Sequence, residues 1–293
     1  HSDMEIDVII PLYKPGKELF TLLDKLGSQS VPVHQVILLN TEEKYFEQLI
    51  YGIRFLETYQ NIKVYHVSKK EFDHGGTRRM GVKKSSADVF VMMTQDAMPK
   101  DDRLIEKLVE PLQGEVAVAY ARQLPREDST PVESYTREFN YPAKSRIKSA
   151  ADLDSLGIKT FFCSNVCAAY RREIYEELGG FVRHTIFNED MIYAAKAVEA
   201  GYSVAYAADA QVVHSHGQQF HRNFDLGVSQ AEHPEIFAAY PSESEGKRMV
   251  KDVTVYLRSN HMSAGLPHFY MQCACKYAGY LLGKNYRRLP KKW

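Results

Sequence analysis

Strand-like and helix-like apolar patterns alternate over the first hundred residues, and this alternation constrains the fold more than any other feature of the chain. Ile6, Val8, Ile9 and Ile10 form a β-rich run that ends at Pro11. Leu19, Leu22, Leu23 and Leu26 then recur at helical spacing. The unit repeats with Val36 to Leu39 and a helix expected from Glu43 to about Tyr59, and again with Ile62 to Val67 and a helix expected from Thr77 to Ser85. Val89 to Met93 adds a fourth buried strand. Strands alternating with helices imply right-handed βαβ crossovers and a mostly parallel central sheet flanked by helices. Ligands of such sheets bind beyond the carboxyl ends of the strands, so chemistry is sought in the loops there.

After Ala117 to Tyr120 the alternation gives way to a polar stretch from Pro125 to about Lys159, expected to be a substrate-side insertion. Order resumes with Phe161 to Tyr170 and a short helix around Ile174 to Leu178, stopped by Gly179 and Gly180. A further helix carries Met191, Ala194, Ala195 and Val198 and stops at Gly201. Cys163 and Cys167 read as buried strand residues; with Cys273 and Cys275 they form no CxxC pair, which fits a reducing cytoplasm. Lys plus Arg and Asp plus Glu both number 37, so no global field draws the chain to nucleic acid. No apolar run is long enough to span a bilayer.

Four short motifs carry chemistry, and each also has a plainer reading. Gln95-Asp96-Ala97 follows a strand end, where a carboxylate can hold a divalent cation or merely cap a turn before Pro99. Phe72-Asp73-His74-Gly75-Gly76-Thr77-Arg78-Arg79 offers close backbone approach at Gly75 and Gly76, a helix cap at Thr77 and cations at Arg78 and Arg79; otherwise it is a tight turn with solvated arginines. Asn188-Glu189-Asp190 opens a helix, where acids are favoured in any case. His214 and His216 flank Ser215 at a strand end, so either or both can reach one ligand.

Taken in order, the four motifs resemble glycosyltransferase family 2 proteins of the GT-A fold, most closely rhamnosyltransferase-like members. The resemblance rests on residues 72–78, 94–97 and 188–190 and runs from Ile6 to about Phe220. It implies a catalytic domain over residues 4–220 and a C-terminal helical, basic extension over 221–293. It further implies that Asp96 is the surviving acid of a DxD-type motif for Mg²⁺ or Mn²⁺, with His214 or His216 completing the metal shell. Asp190 matches the catalytic base and Glu189 its acidic neighbour. Pro11, Tyr13, Asn40, Thr41 and Glu42 stand at nucleoside-binding positions, beside Gln95. Relatives often carry Asp where Asn40 or Thr41 stands, so Asp73 is the candidate for the missing acceptor.

The implied reaction is inverting transfer, with Asp190 taking the acceptor proton and the cation, helped by Arg78 or Arg79, stabilising the leaving diphosphate. The donor expected from residues 72–78 is dTDP-L-rhamnose, with a UDP-hexose or UDP-N-acetylhexosamine as the alternative. A metal-dependent nucleotidyltransferase or an inactive glycan-binding module are the alternatives from other classes. The expected acceptor is a glycan, or a lipid-linked glycan at the inner face of the cell membrane. No Asp or Glu follows Asp252, whereas Arg258, Lys276, Lys284, Arg287, Arg288, Lys291 and Lys292 do, interleaved with Tyr270, Tyr277, Tyr280 and Trp293. Such a segment suits anionic lipid headgroups, or a helix packed on the domain.

Overall fold

A computed structural model describes residues 4–127, 137, 138, 140–182 and 189–214. Ile6–Tyr13 (β1), Gln35–Thr41 (β2), Ile62–Val67 (β3) and Val89–Met93 (β4) form the parallel half of one sheet, in the order β3-β2-β1-β4. The order continues through Cys167–Arg171 (β8), Val116–Leu124 (β6), Ser203–His214 (β9) and Ala97–Pro99 (β5), and Arg146–Lys148 (β7) also pairs with β9. β8 runs antiparallel to both its neighbours, β6 and β9 are parallel, and β5 and β7 oppose β9. Six of these strands therefore share one direction, so the sheet is mostly parallel, as the alternation predicts.

β1, β2 and β4 read as nearly continuous apolar runs because both their faces are buried. Val8, Ile10 and Leu12 of β1 point into one core with Leu19, Leu22, Leu23 and Leu26 of α1 (Glu18–Gly27) and Leu104, Ile105 and Leu108 of a helix at Leu104–Val109. Ile9 points into the other, with Phe90, Tyr170 and Ile192. Each fully buried leucine of α1 contributes about 1.5–3 kcal/mol. Gly81 lets the helix His74–Lys83 lie close on the sheet, since a Cβ there would meet Leu39 Cδ1 at 2.6 Å and Ile9 Cγ2 at 2.8 Å.

Three sequence expectations change. The long helix from Glu43 is two: Glu43–Ile50 and Phe55–Thr58, broken at Gly52 with φ +75°. The break turns Phe55 inward to meet Phe46 edge-to-face at 5.4 Å. The polar stretch contains β7, whose inward residue is Lys148, with Nζ donating to Tyr120 Oη (3.0 Å), Lys159 O (3.0 Å) and Phe162 O (2.6 Å). Burial lowers that amine's pKa to about 7. Cys163 precedes β8 instead of lying in it, though it and Cys167 are both buried free thiols.

Candidate active site

The carboxyl ends of β1 and β4 are stitched together by one side chain. Gln95 Nε2 donates to Tyr13 O at 2.9 Å, and Tyr13 N donates to Gln95 Oε1 at 3.0 Å. Both ends of the amide are thereby used, which places Gln95 as a clamp on the backbone that follows β1. That backbone then turns sharply, with Lys14 at φ +48°, a conformation non-glycine residues seldom adopt. Beyond the clamp opens a cleft of about 540 Å³ lined by Lys14, Pro15, Gly16, Glu18, Leu19, Gln95, Asp96, Met98, Arg126 and Val213. Asp96 therefore faces a cavity of ligand size, and Lys14 and Arg126 bring cations to the same walls.

The rim beside β2 is aromatic and basic. Tyr13 and Tyr45 meet edge-to-face at 5.9 Å, with Lys14 Nζ 5.3 Å and 5.1 Å from their ring centres and Lys69 Nζ 5.8 Å from Tyr13. Such a rim can hold a base and its phosphates. Tyr13 lies on this rim and Pro11 two residues before it in β1, but Asn40 and Thr41 are buried. Asn40 Nδ2 donates to Glu42 O at 3.1 Å and lies 3.1 Å from His66 Nδ1, which supports the left-handed turn at Glu42 (φ +69°). Glu42 Oε1 accepts from Lys69 N at 2.9 Å.

The helix His74–Lys83 is capped by Asp73, not by Thr77. Asp73 Oδ2 accepts from Gly76 N at 2.9 Å, and Thr77 Oγ1 accepts from Asp73 N at 3.2 Å. A Cβ at position 76 would sit 2.5 Å from that capping oxygen, which gives Gly76 a local reason; Gly75 is buried in the same turn. The arginines are engaged inside the fold. Arg78, 6% exposed, has its Nε 3.2 Å from Glu189 Oε1. Arg79 donates to Gly179 O (2.6 Å) and Phe181 O (3.1 Å), holding the Gly179-Gly180 turn.

Glu189 and Asp190 open the helix Glu189–Glu199, and their carboxylates differ in kind. Glu189 is buried, and Asn165 Nδ2 donates to its Oε1 at 2.9 Å. Burial alone would raise its pKa, but Arg78, with His74 and Asn165, outweighs burial and holds it below the usual carboxylate value. Asp190 keeps an accessible edge, yet enough protein surrounds it that desolvation is the largest influence on it. Burial first, then the charge of Glu189, pushes its pKa up to about 7, against hydrogen bonds from Asn165 N (2.8 Å) and Met191 N (2.8 Å). A carboxylate so poised is suited to take a proton near neutral pH.

The acids and the cleft are joined by short backbone links. Thr94 N donates to Val166 O at 3.1 Å, and the adjacent Asn165 holds Asp190. On the other side, the β5–β9 ladder sets His214 opposite Ala97, one residue from Asp96. His216 lies outside the described residues, as does the basic C-terminal segment. Lys14 and Arg126 line the cleft without having been expected there from the sequence. Their signal was modest: Lys14 directly follows Tyr13, and Arg126 opens the polar stretch.

The sequence profile of glycosyl transferase family 2 matches residues 7–179, which covers β1 through β8 and the Asp96 turn. The chain belongs to that family. This transferase is 39% identical over 297 residues to the O-antigen chain rhamnosyltransferase RfbN of Salmonella typhimurium, covering 98% of this chain and 92% of that protein. It is 37% identical to the O-antigen chain rhamnosyltransferase WbaN of Salmonella anatum, covering 97% and 90%. The likeness thus extends past Phe220 into the basic tail. The transferase also shares its fold with a solved structure, the mannosyltransferase PcManGT from Pyrobaculum calidifontis in complex with GDP-Man and Mn²⁺. That match has a TM-score of 0.64 at 16% identity over 96% of this chain and 87% of the other, and it supports the GT-A architecture.

Proposed function

We propose that this transferase moves L-rhamnose from dTDP-L-rhamnose to a lipid-linked glycan of the O-antigen type, with Asp190 as the base. The observation that carries the reading is the 39% identity, over nearly the whole chain, to an O-antigen chain rhamnosyltransferase. In the proposed pose the nucleoside lies at the Tyr13–Tyr45 rim and the diphosphate enters the cleft between Lys14, Asp96 and Arg126. Lys14 and Arg126 take the part expected of Arg78 and Arg79, whose guanidinium groups are committed within the fold. Asp190 accepts the proton of the acceptor hydroxyl as its oxygen attacks the anomeric carbon from the face opposite the diphosphate. The C–O bond to the diphosphate breaks as the glycosidic bond forms, and no enzyme-bound sugar is required.

The residues present fit a divalent cation. Asp96 faces the cleft, and the ladder sets the backbone of His214 opposite the adjacent Ala97; a carboxylate with a histidine is a donor pair suited to Mg²⁺ or Mn²⁺. Among the described residues no set of three ligands surrounds Asp96, so donor oxygens would complete the shell. Asp96 and either His214 or His216 would hold the ion, which when bound offsets the charge of the leaving diphosphate. The donor assignment is tested by turnover: dTDP-L-rhamnose should be consumed in preference to UDP-glucose and UDP-N-acetylglucosamine. Comparable use of either UDP-sugar would overturn the rhamnosyl assignment and leave the family intact.

The same reading places the transferase at the inner face of the cell membrane. Among the described residues no helix is long and apolar enough to cross a membrane. Support comes instead from the tail, with seven cations and no acid after Asp252. Replacing Lys284, Arg287, Arg288, Lys291 and Lys292 by Gln should abolish sedimentation with anionic liposomes. Equal pelleting of the variant and the unmodified chain would remove the tail from membrane contact.

A further inference from the structure

The proton transfer uses Asp190 alone, yet its neighbour Glu189 sits in a buried polar cluster with Asn165 and Arg78. Asn165, itself buried, makes three hydrogen bonds there: its N–H donates to Asp190 Oδ2 at 2.8 Å, its Nδ2 donates to Glu189 Oε1 at 2.9 Å, and its Oδ1 accepts from Tyr170 Oη at 2.6 Å. Arg78 approaches the same Glu189 oxygen at 3.2 Å, and its NH1 group lies 3.1 Å from His74 Nδ1 and 3.3 Å from His74 O. A buried ion pair adds little net stability, because desolvation offsets its attraction. One fixed in direct sequence with a base can instead set that base's charge state.

We propose that Arg78 and Asn165 hold Glu189 as an ionised carboxylate whose field keeps Asp190 basic, so that Glu189, Arg78 and Asn165 are positioning residues for the transfer. The proposal rests on Asp190 being the base. Among the described residues, the titratable groups that act on Asp190 are Glu189 on its own helix, Arg78 on the helix His74–Lys83, and Tyr141, Cys163 and Tyr170, while His74 acts on Glu189. Burial raises the pKa of Tyr141, Cys163 and Tyr170, so they stay neutral near pH 7, and the Glu189 charge is the nearest source of repulsion. With Glu189 negative, Asp190 binds its proton more tightly and takes one from the acceptor more readily.

The test is the pH profile of kcat/KM for transfer, measured for the wild type, Glu189→Gln, and the double variant Arg78→Met/Glu189→Met. The double variant removes the pair without leaving a lone buried charge, so it remains informative if Glu189→Gln does not fold. In Glu189→Gln the acid limb should move to lower pH by about one unit or more, the scale at which adjacent titrating groups couple; in the double variant the shift keeps that direction but is smaller, because the lost Arg78 charge itself lowers the Asp190 pKa. An acid limb that stays in place while the rate falls would make the cluster merely structural and overturn the proposal. Asp190→Asn, run alongside, separates the two readings. Loss of transfer there with an unmoved limb in the Glu189 variants sinks this proposal alone, whereas retained transfer sinks the assignment of the base and the proposal with it.

Discussion

Asp190→Asn should transfer sugar at about one hundredth of the wild-type rate or less, the usual scale of lost general-base catalysis, while dTDP binding with metal stays close to wild type. Asp190 accepts one backbone N–H on each carboxylate oxygen, from Asn165 on Oδ2 and from Met191 on Oδ1. Asparagine can accept only one of these, and its amide N–H would face the other donor. A stability loss of about 1–3 kcal/mol is therefore expected as well, and thermal unfolding should be followed on the same preparation. With the Asp190 pKa near 7, wild-type kcat/KM should rise as pH increases through that value, because the base works only when deprotonated. Near-normal transfer by a folded variant would remove Asp190 from the mechanism.

Asp96→Ala should abolish the metal-dependent part of donor binding, a loss on the order of a hundredfold or more in affinity. The local geometry sharpens this expectation. Gln95, the adjacent polar residue, has both ends of its amide bound to the backbone of Tyr13, and Ala97 carries no ligand atom. Nothing in the 95–97 turn can therefore replace the lost carboxylate. Calorimetric titration with dTDP, with and without Mn²⁺, measures the difference. An unchanged metal-dependent increment would reduce Asp96 to a residue of the turn.

The parallel half of the sheet was legible because β1, β2 and β4 are buried on both faces, so their residues form nearly unbroken apolar runs between amphipathic helices, and the edge strand β3 keeps Ile62, Val64 and Val67. The short antiparallel strands β5 and β7 lack that signature. β5 is three residues ending in Pro99, and β7 turns a lysine inward, so neither carries an apolar pattern of its own. The same blindness to distant partners affected the site. Arg78 and Arg79 resemble phosphate ligands beside two glycines. Their actual partners, Glu189 and the carbonyls of Gly179 and Phe181, lie about a hundred residues away in sequence. Asp73 and Thr77 exchanged roles because both form parts of one reciprocal cap, and spacing alone does not say which is the cap residue. Asp96 and the Glu189-Asp190 pair were legible because strand ends and helix starts fix where such side chains emerge.

The central claim, single displacement of the diphosphate by an acceptor hydroxyl deprotonated at Asp190, is tested most directly by the stereochemistry of the product. Wild-type transferase should be incubated with dTDP-β-L-rhamnose, Mn²⁺ and a lipid-linked glycan acceptor, and the anomeric configuration of the new linkage read by NMR. An α-linked rhamnoside, released together with free dTDP, is the expected result. A β-linked product would require two displacements or front-face attack and would contradict the mechanism.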